Sequence, residues 1–301
     1  MRYFKQRYAG RMAVILALCA GILAGAGLTG CVKTTGSEAS GLPQNHTLGT
    51  ASRSPEREGA SDSSGAARTA PLAGARQLIL VVSRDWSAFN AVMLRYERDT
   101  PASAWKPVGG PIPVVIGKNG LAWGRGLHGE AAGPGPVKRE GDKKSPAGAF
   151  SLGEAFAYEP GELDFIPAMP MKRVGEETIC VENAGSRYYN VILDKNEAAE
   201  PDWIDPDQMR RPDGLYRYGF FVNHNFPNPA PGAGSCIFFH IWRGPNQYSV
   251  GCTAMTRENL LEVLRWLDAS KHPAVVQLPR KEAQEYARVW DYPAPAGLSF
   301  R

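Results

Sequence analysis

Most of the signatures that would place a chain in a large enzyme class are missing from these 301 residues. No zinc-ligand spacing, Gly-rich phosphate loop or Gly-x-Ser-x-Gly elbow occurs, so a metalloenzyme, a nucleotide enzyme and a serine hydrolase lack support and no cofactor is expected. No basic stripe or arginine cluster is present, which argues against nucleic acid as a partner. The net charge of +4 comes from Arg2, Lys5, Arg7 and Arg11, and the remainder of the chain is formally near neutral. Cysteine is scarce, with five residues, and long apolar runs are confined to the first thirty positions.

That first apolar run begins at Met12 and closes on Leu28-Thr29-Gly30-Cys31, a short Gly- and Ala-rich stretch behind a basic start. The pattern predicts a lipoprotein signal over residues 1–30, cleaved before Cys31, with lipidation on the Cys31 sulfur. An uncleaved anchor helix is the alternative, but the run is short for a membrane span. Acyl chains contribute roughly 0.8 kcal/mol per buried methylene, so they would hold the protein on a membrane without a spanning helix. The cell envelope is the expected location, and Val32 rather than Asp after the lipidated position favours an outer membrane where two exist. Residues 31–75 are Ser, Gly, Ala, Thr and charged residues with few large apolar side chains, and read as a flexible linker.

From residue 76 to about 280 the chain has one domain's length, with short apolar runs punctuated by Gly and Pro. The expected class is mainly β, sandwich-like and loop-rich with a few short helices. Strands are predicted at Gln77–Ser83, Ala91–Glu97, Ile112–Ile116, Thr178–Val181, Tyr188–Leu193, Gly219–His224, Cys236–Trp242 and Ala274–Leu278. A helix is predicted after Thr256 as cap, with Glu258 at its positive end and Leu260, Leu261, Leu264 and Leu267 as a core-facing stripe. A second, Lys281–Trp290, lies in a C-terminal helix or tail over residues 281–301.

The chemically informative stretch is Ser235-Cys-Ile-Phe-Phe-His240-Ile-Trp-Arg-Gly-Pro-Asn-Gln-Tyr-Ser249-Val-Gly-Cys252-Thr-Ala-Met255. Strand alternation puts Phe238, His240 and Trp242 on one face and Ile237, Phe239 and Ile241 on the other. A hairpin would return Cys252 toward His240. Cys252 also precedes the capped helix, whose unpaired N–H groups are suited to a thiolate or an oxyanion. The plainer reading is a small buried cysteine and a satisfied strand histidine. Export permits a disulfide, and Cys180 with Cys236 is the pairing that leaves Cys252 free to react.

His240 followed by Ser249-x-Gly251-Cys252 resembles the His…(Ser/Thr)-x-Gly-Cys signature of the L,D-transpeptidase (YkuD-type) catalytic domain. Gly141-Asp-Lys-Lys-Ser145-Pro146-Ala-Gly148-Ala-Phe150 is similar to that family's Gly-Asp-x-x-Thr-Pro-x-Gly turn into a strand. The likeness runs from about Gln77 to Pro279 and implies a single L,D-transpeptidase-type domain acting on peptidoglycan stem peptides, with Cys252 as nucleophile and His240 as base. It further implies oxyanion or positioning roles for Gly251, Val250 and Ser249. Where the family places a histidine before Gly-Cys and an Asn or Arg after it, this chain has Val250, Thr253 and Ala254. Arg243 is the substitute candidate for holding substrate, with Trp242 and His224 as further candidate contacts. His224 has a structural alternative as a hydrogen-bonded core residue, and His128 reads as a cover for the cleft or a surface residue. Ser145, Pro146 and Gly148 read as turn formers. The short His-to-Cys loop implies a more open site. Two other functions stay in view: a hydrolase using the same cysteine with water as acceptor, and an inactive envelope lipoprotein that only binds peptidoglycan.

Overall fold

The computed structural model describes residues 70–300. The predicted signal, the Cys31 lipidation site and nearly all of the predicted linker lie outside the described residues. The fold is mainly β.

The first strand, β1 (Gln77–Ser83), is buried along its whole length. Its apolar run Leu78–Val82 fits that position, because a strand covered on both faces needs no polar alternation. It pairs antiparallel with β2 (Asn90–Glu97) and parallel with a strand from the far end of the chain. Next come β3 (Lys106–Pro107), β4 (Ile112–Val115), β5 (Leu121–Trp123) and the 13-residue β6 (Ser145–Ala157). Then follow β7 (Met171–Arg173), β8 (Thr178–Cys180), β9 (Ile192–Asp194), β10 (Asp207–Gln208) and β11 (Tyr218–Val222). The last strands are β12 (Phe238–Ile241), β13 (Thr253–Met255) and β14 (Ala274–Pro279).

Neighbours in the main sheet run β1-β14-β6-β11-β12-β13-β4-β2, and the β1–β2 pairing closes this run into an eight-stranded, barrel-like ring. The expected sandwich-like layering is thus replaced by one sheet curled on itself, which removes the unpaired edges two stacked sheets would leave. β3 extends the ring beside β2, β5 and β7 flank β6, and β10-β8-β9 form a separate small sheet. β6 is the strand that sequence punctuation hid, because its Ser-Pro-Ala-Gly start reads as a turn. Ser145, Pro146 and Gly148 lie within this strand. Gly148 is required there: its φ is +136°, and a Cβ would stand 2.0 Å from His128 Cε1.

Helix α1 (Arg257–Trp266) starts at Thr256, whose side chain accepts from Asn259 N–H, and buries Leu260, Val263 and Leu264. It lies against β11 and β12. Helix α2 (Arg280–Trp290) buries Ala283, Ala287 and Trp290 and packs on β14 and β1, so it belongs to the domain. The N-terminal boundary also moves outward relative to the sequence reading, because Leu72 is fully buried. Buried Arg98 ties both ends together: its guanidinium donates to the carbonyls of Ala75 and Leu72, each at 2.7 Å, and pairs with Asp291.

Two apolar clusters divide at β12. Phe239 and Ile237 join the large ring core, where Phe239 stacks on Phe220 with centroids 4.6 Å apart. Phe238 faces a smaller cluster with Cys252, Cys236, Cys180 and Tyr216. The alternation read from the sequence therefore separates a packing face from the face that carries the chemistry.

Candidate functional site

β12 and β13 run parallel, with His240 opposite Ala254, so the predicted hairpin does not form. Residues 242–252 instead cross over, and Ser249 bridges beside Gly117 at the end of β4 before the chain returns into β13. Parallel neighbours need such a crossover. The outcome still gathers the two candidate residues: Cys252 precedes Ala254 by two positions on one face, a diagonal step of about 8 Å from His240 at usual strand spacing and rise. Both line a cleft of about 270 Å³ together with Arg211, Tyr216, Trp242, Arg243, Tyr248, Ser249 and Val250.

The cleft is narrow at its base. Cys252 is 4% exposed and His240 7%, so the short loop has not opened the site. Cys252 is a free cysteine, while Cys180 and Cys236 are joined by a disulfide. The Cys252 sulfur meets backbone on two sides: its S–H donates to the Cys236 carbonyl at 3.6 Å, and Phe238 N–H donates to the sulfur at 3.4 Å. Burial pushes the thiol up to about 12, offset in part by the Phe238 N–H and the nearby Tyr216 hydroxyl, while Asp207 and Glu182 add to the rise. The start of α1 does not supply the expected help, because β13 stands between Cys252 and the helix.

His240 Nδ1 lies 2.7 Å from the Ile241 carbonyl. A carbonyl only accepts, so Nδ1 carries the proton and the neutral ring keeps its Nε2 lone pair free. Burial pulls the imidazole down to about 4, and the guanidinium charges of Arg211 and Arg243 act in the same direction. The resting pair is therefore a neutral thiol and a neutral imidazole.

The loop before β13 is internally bonded. Gly251 N–H donates to Ser249 Oγ at 3.1 Å, and the Ser249 hydroxyl donates to the Cys252 carbonyl. Gly251 is thereby engaged, which removes it from the expected oxyanion donors, and Val250, 68% exposed, sits at the rim. From below, Ser145 Oγ donates to the Cys252 carbonyl at 3.2 Å and accepts from Gly117 N–H at 2.9 Å.

Trp242 and Arg243 do line the cleft. Arg243 pairs with Asp213 at 3.0 Å, and Asp213 also pairs with Arg211 at 2.9 Å. The Arg211 hydrogen bond is the main reason that Asp213 is held at about 2 despite partial burial. His224 does not reach the cleft. Its Nδ1 accepts from Arg125 N–H, its Nε2 bonds the Ala233 carbonyl at 3.0 Å, and burial lowers it to about 3, so it is a fold-holding residue. His128 neither covers the cleft nor lies on the surface: it is buried among Trp123, Phe150 and Trp290. Arg211, Tyr216 and Asp207 were not legible as site residues. They come from the small sheet and the segment entering β11, and nothing local in the sequence marks them.

Among the described residues no cluster of His, Cys, Asp and Glu could hold a metal ion, and no helix is long and apolar enough to cross a membrane. The chain matches no protein-family model, no curated protein and no solved structure. The likeness drawn above rests on its quoted motifs alone.

Proposed function

We propose that the protein is a cysteine acyltransferase of the cell envelope, an L,D-transpeptidase acting on peptidoglycan stem peptides. The observation that carries this reading is the pairing, in one cleft, of a free cysteine with a histidine whose Nε2 is left unprotonated by an Nδ1–H bond to the Ile241 carbonyl. In this scheme the Cys252 thiolate attacks a stem-peptide carbonyl, a terminal amino acid leaves with a proton on its amine, and a thioester links acyl group and sulfur. An amine from a second stem peptide then attacks the thioester and releases the enzyme. His240 Nε2 takes up and returns protons in these steps. The N–H groups of Cys252 and Val250 are the proposed oxyanion donors, and loss of one such donor typically costs about 2.7–4 kcal/mol of barrier. Arg211 and Arg243 at the cleft wall give a substrate carboxylate two guanidinium partners, the role the missing Arg or Asn after Cys252 would otherwise hold.

Incubation of the protein with a carbapenem, read by intact mass, tests the reading. The expected result is one covalent adduct on Cys252 that disappears in Cys252→Ala; no adduct at any concentration sinks the acyl-transfer scheme. Muropeptide analysis then separates cross-linking from trimming with water as acceptor. A second reading, a peptidoglycan-binding lipoprotein without turnover, draws on the depth of Cys252 and its high thiol pKa, and predicts peptidoglycan retention with no adduct. Membrane attachment through a lipidated Cys31 is proposed on the sequence alone.

A further inference from the structure

The motifs quoted above end near Pro279, yet the chain continues, and its last described residues build a second surface beside the cleft. Strand alternation prepares the floor of that surface. Ala91 and Met93 of β2 and Ile112 and Val114 of β4 enter the ring core, so Asn90, Val92 and Pro113 face the other way. Val92 pairs opposite Pro113, which sets these outward side chains next to one another. Two walls rise from the floor. One is the crossover after β12, with Trp242, Pro245 and Asn246; the other is the C-terminal segment Gly297–Phe300. The segment is held in place, because Arg280 Nη2 donates to the Leu298 carbonyl at 2.5 Å and the guanidinium covers the Phe300 ring at 4.4 Å. Floor and walls enclose a groove of about 820 Å³. It shares Trp242 with the Cys252 cleft, and it shares Asn90 and Phe300 with a further hollow of about 320 Å³.

Resting on the acyl-transfer reading of the neighbouring cleft, we propose that this groove binds the glycan strand of the substrate, as a run of N-acetylated hexosamines. The chemistry of the lining selects that occupant. Among the described residues that line the groove none is charged, whereas the cleft carries Arg211 and Arg243. A peptidoglycan substrate divides in the same way: its stem peptides carry carboxylates and amines, while the acetylated sugar strand is uncharged wherever an amide joins a peptide to it. A charged peptide laid in the groove would lose hydration and meet no ionic partner.

An acyl chain fits less well. It would cover the Asn246 amide and the Ser299 hydroxyl without bonding either, whereas the acetamido and hydroxyl groups of a sugar can bond both. Trp242, Pro113 and Pro245 offer apolar surface to the C–H faces of the pyranose rings, and the few polar groups among them fix orientation. The further hollow lengthens the track, which suits a polymer rather than a single sugar. Its charged residue, Arg84, is already paired with Asp85 at 3.0 Å. Because Trp242 borders both spaces, a strand seated in the groove places its stem peptide beside Cys252.

The test is a titration of the full-length protein with N-acetylchitohexaose, an uncharged and peptide-free probe, followed by saturation-transfer NMR on the acetyl methyl signals. Saturable binding is expected. Ser299→Trp, which fills the groove from an exposed position, should weaken it at least tenfold, and Asn246→Ala, also at an exposed position, at least threefold. No saturable binding by the wild type, or unchanged affinity in both variants, would overturn the proposal. Tighter binding of decanoate than of the hexaose, in competition with it, would assign the groove to an acyl chain and overturn the proposal as well. The carbapenem experiment separates this inference from the reading it rests on. Hexaose binding without an adduct would remove acyl transfer and leave a glycan-binding protein, whereas an adduct without hexaose binding would remove the groove alone.

Discussion

Replacing Ser145 by alanine tests whether the floor of the cleft is held as described. Ser145 is fully buried, accepts from Gly117 N–H at 2.9 Å and donates to the Cys252 carbonyl at 3.2 Å. In Ser145→Ala the buried Gly117 N–H is orphaned, at a cost of about 1–3 kcal/mol, whereas the Cys252 carbonyl keeps its bond from Ser249 and loses only about 1 kcal/mol. The sum is about 2–4 kcal/mol, and at about 2–4 °C per kcal/mol for a domain of this size the midpoint should fall by about 4–16 °C. Ser249→Ala is the matched control: it also removes one bond to the Cys252 carbonyl and frees Gly251 N–H, but both of its bonds are part-buried and lie beside exposed Val250, where water can replace the lost partner. It should cost about 1 kcal/mol or less. Urea denaturation with the disulfide intact, followed by tryptophan fluorescence, measures both. A loss below about 0.5 kcal/mol in Ser145→Ala, or a larger loss in Ser249→Ala, would refute the assignment of Ser145 as the support under Cys252.

Further outcomes follow from the same structure. Gly148→Ala should cost about 3 kcal/mol or more, since its φ of +136° strains any Cβ-bearing residue and the new methyl meets His128; adding His128→Ala should relieve the clash but not the backbone strain, as thermal melts of both variants will show. His240 is held at about 4 against an ordinary 6.5, so the stability it contributes is present above pH 6.5 and lost as pH falls toward 4. Wild type should therefore lose stability relative to His240→Gln by up to about 1.4 kcal/mol per pH unit across that window, read from urea midpoints at each pH; parallel curves would contradict the buried neutral imidazole. Opening the Cys180–Cys236 bridge, which spans 56 residues, by Cys180→Ser should cost about 4 kcal/mol in the same denaturation assay. Thiol counting by peptide mapping should find Cys252 alone alkylated among residues 70–300 of the unreduced wild type.

What the sequence determined was local. The Leu78–Val82 run read as a strand, and Thr256 with its leucine stripe read as the start of a helix packed on a sheet, so β1 and α1 stand close to where the sequence put them. The alternation Phe238, His240 against Ile237, Phe239 separated site face from core face for the same reason: side chains on a strand have a period of two wherever the strand goes. Tertiary structure decided what meets what. Closure of the sheet into a ring, the parallel approach of β13 to β12, and the docking of Arg211 and Tyr216 beside Cys252 depend on contacts between segments far apart in the chain. No local pattern encodes these contacts. The charge states of the cleft belong there too, because a thiol at about 12 and an imidazole at about 4 follow from burial and neighbours that exist only once the chain has folded.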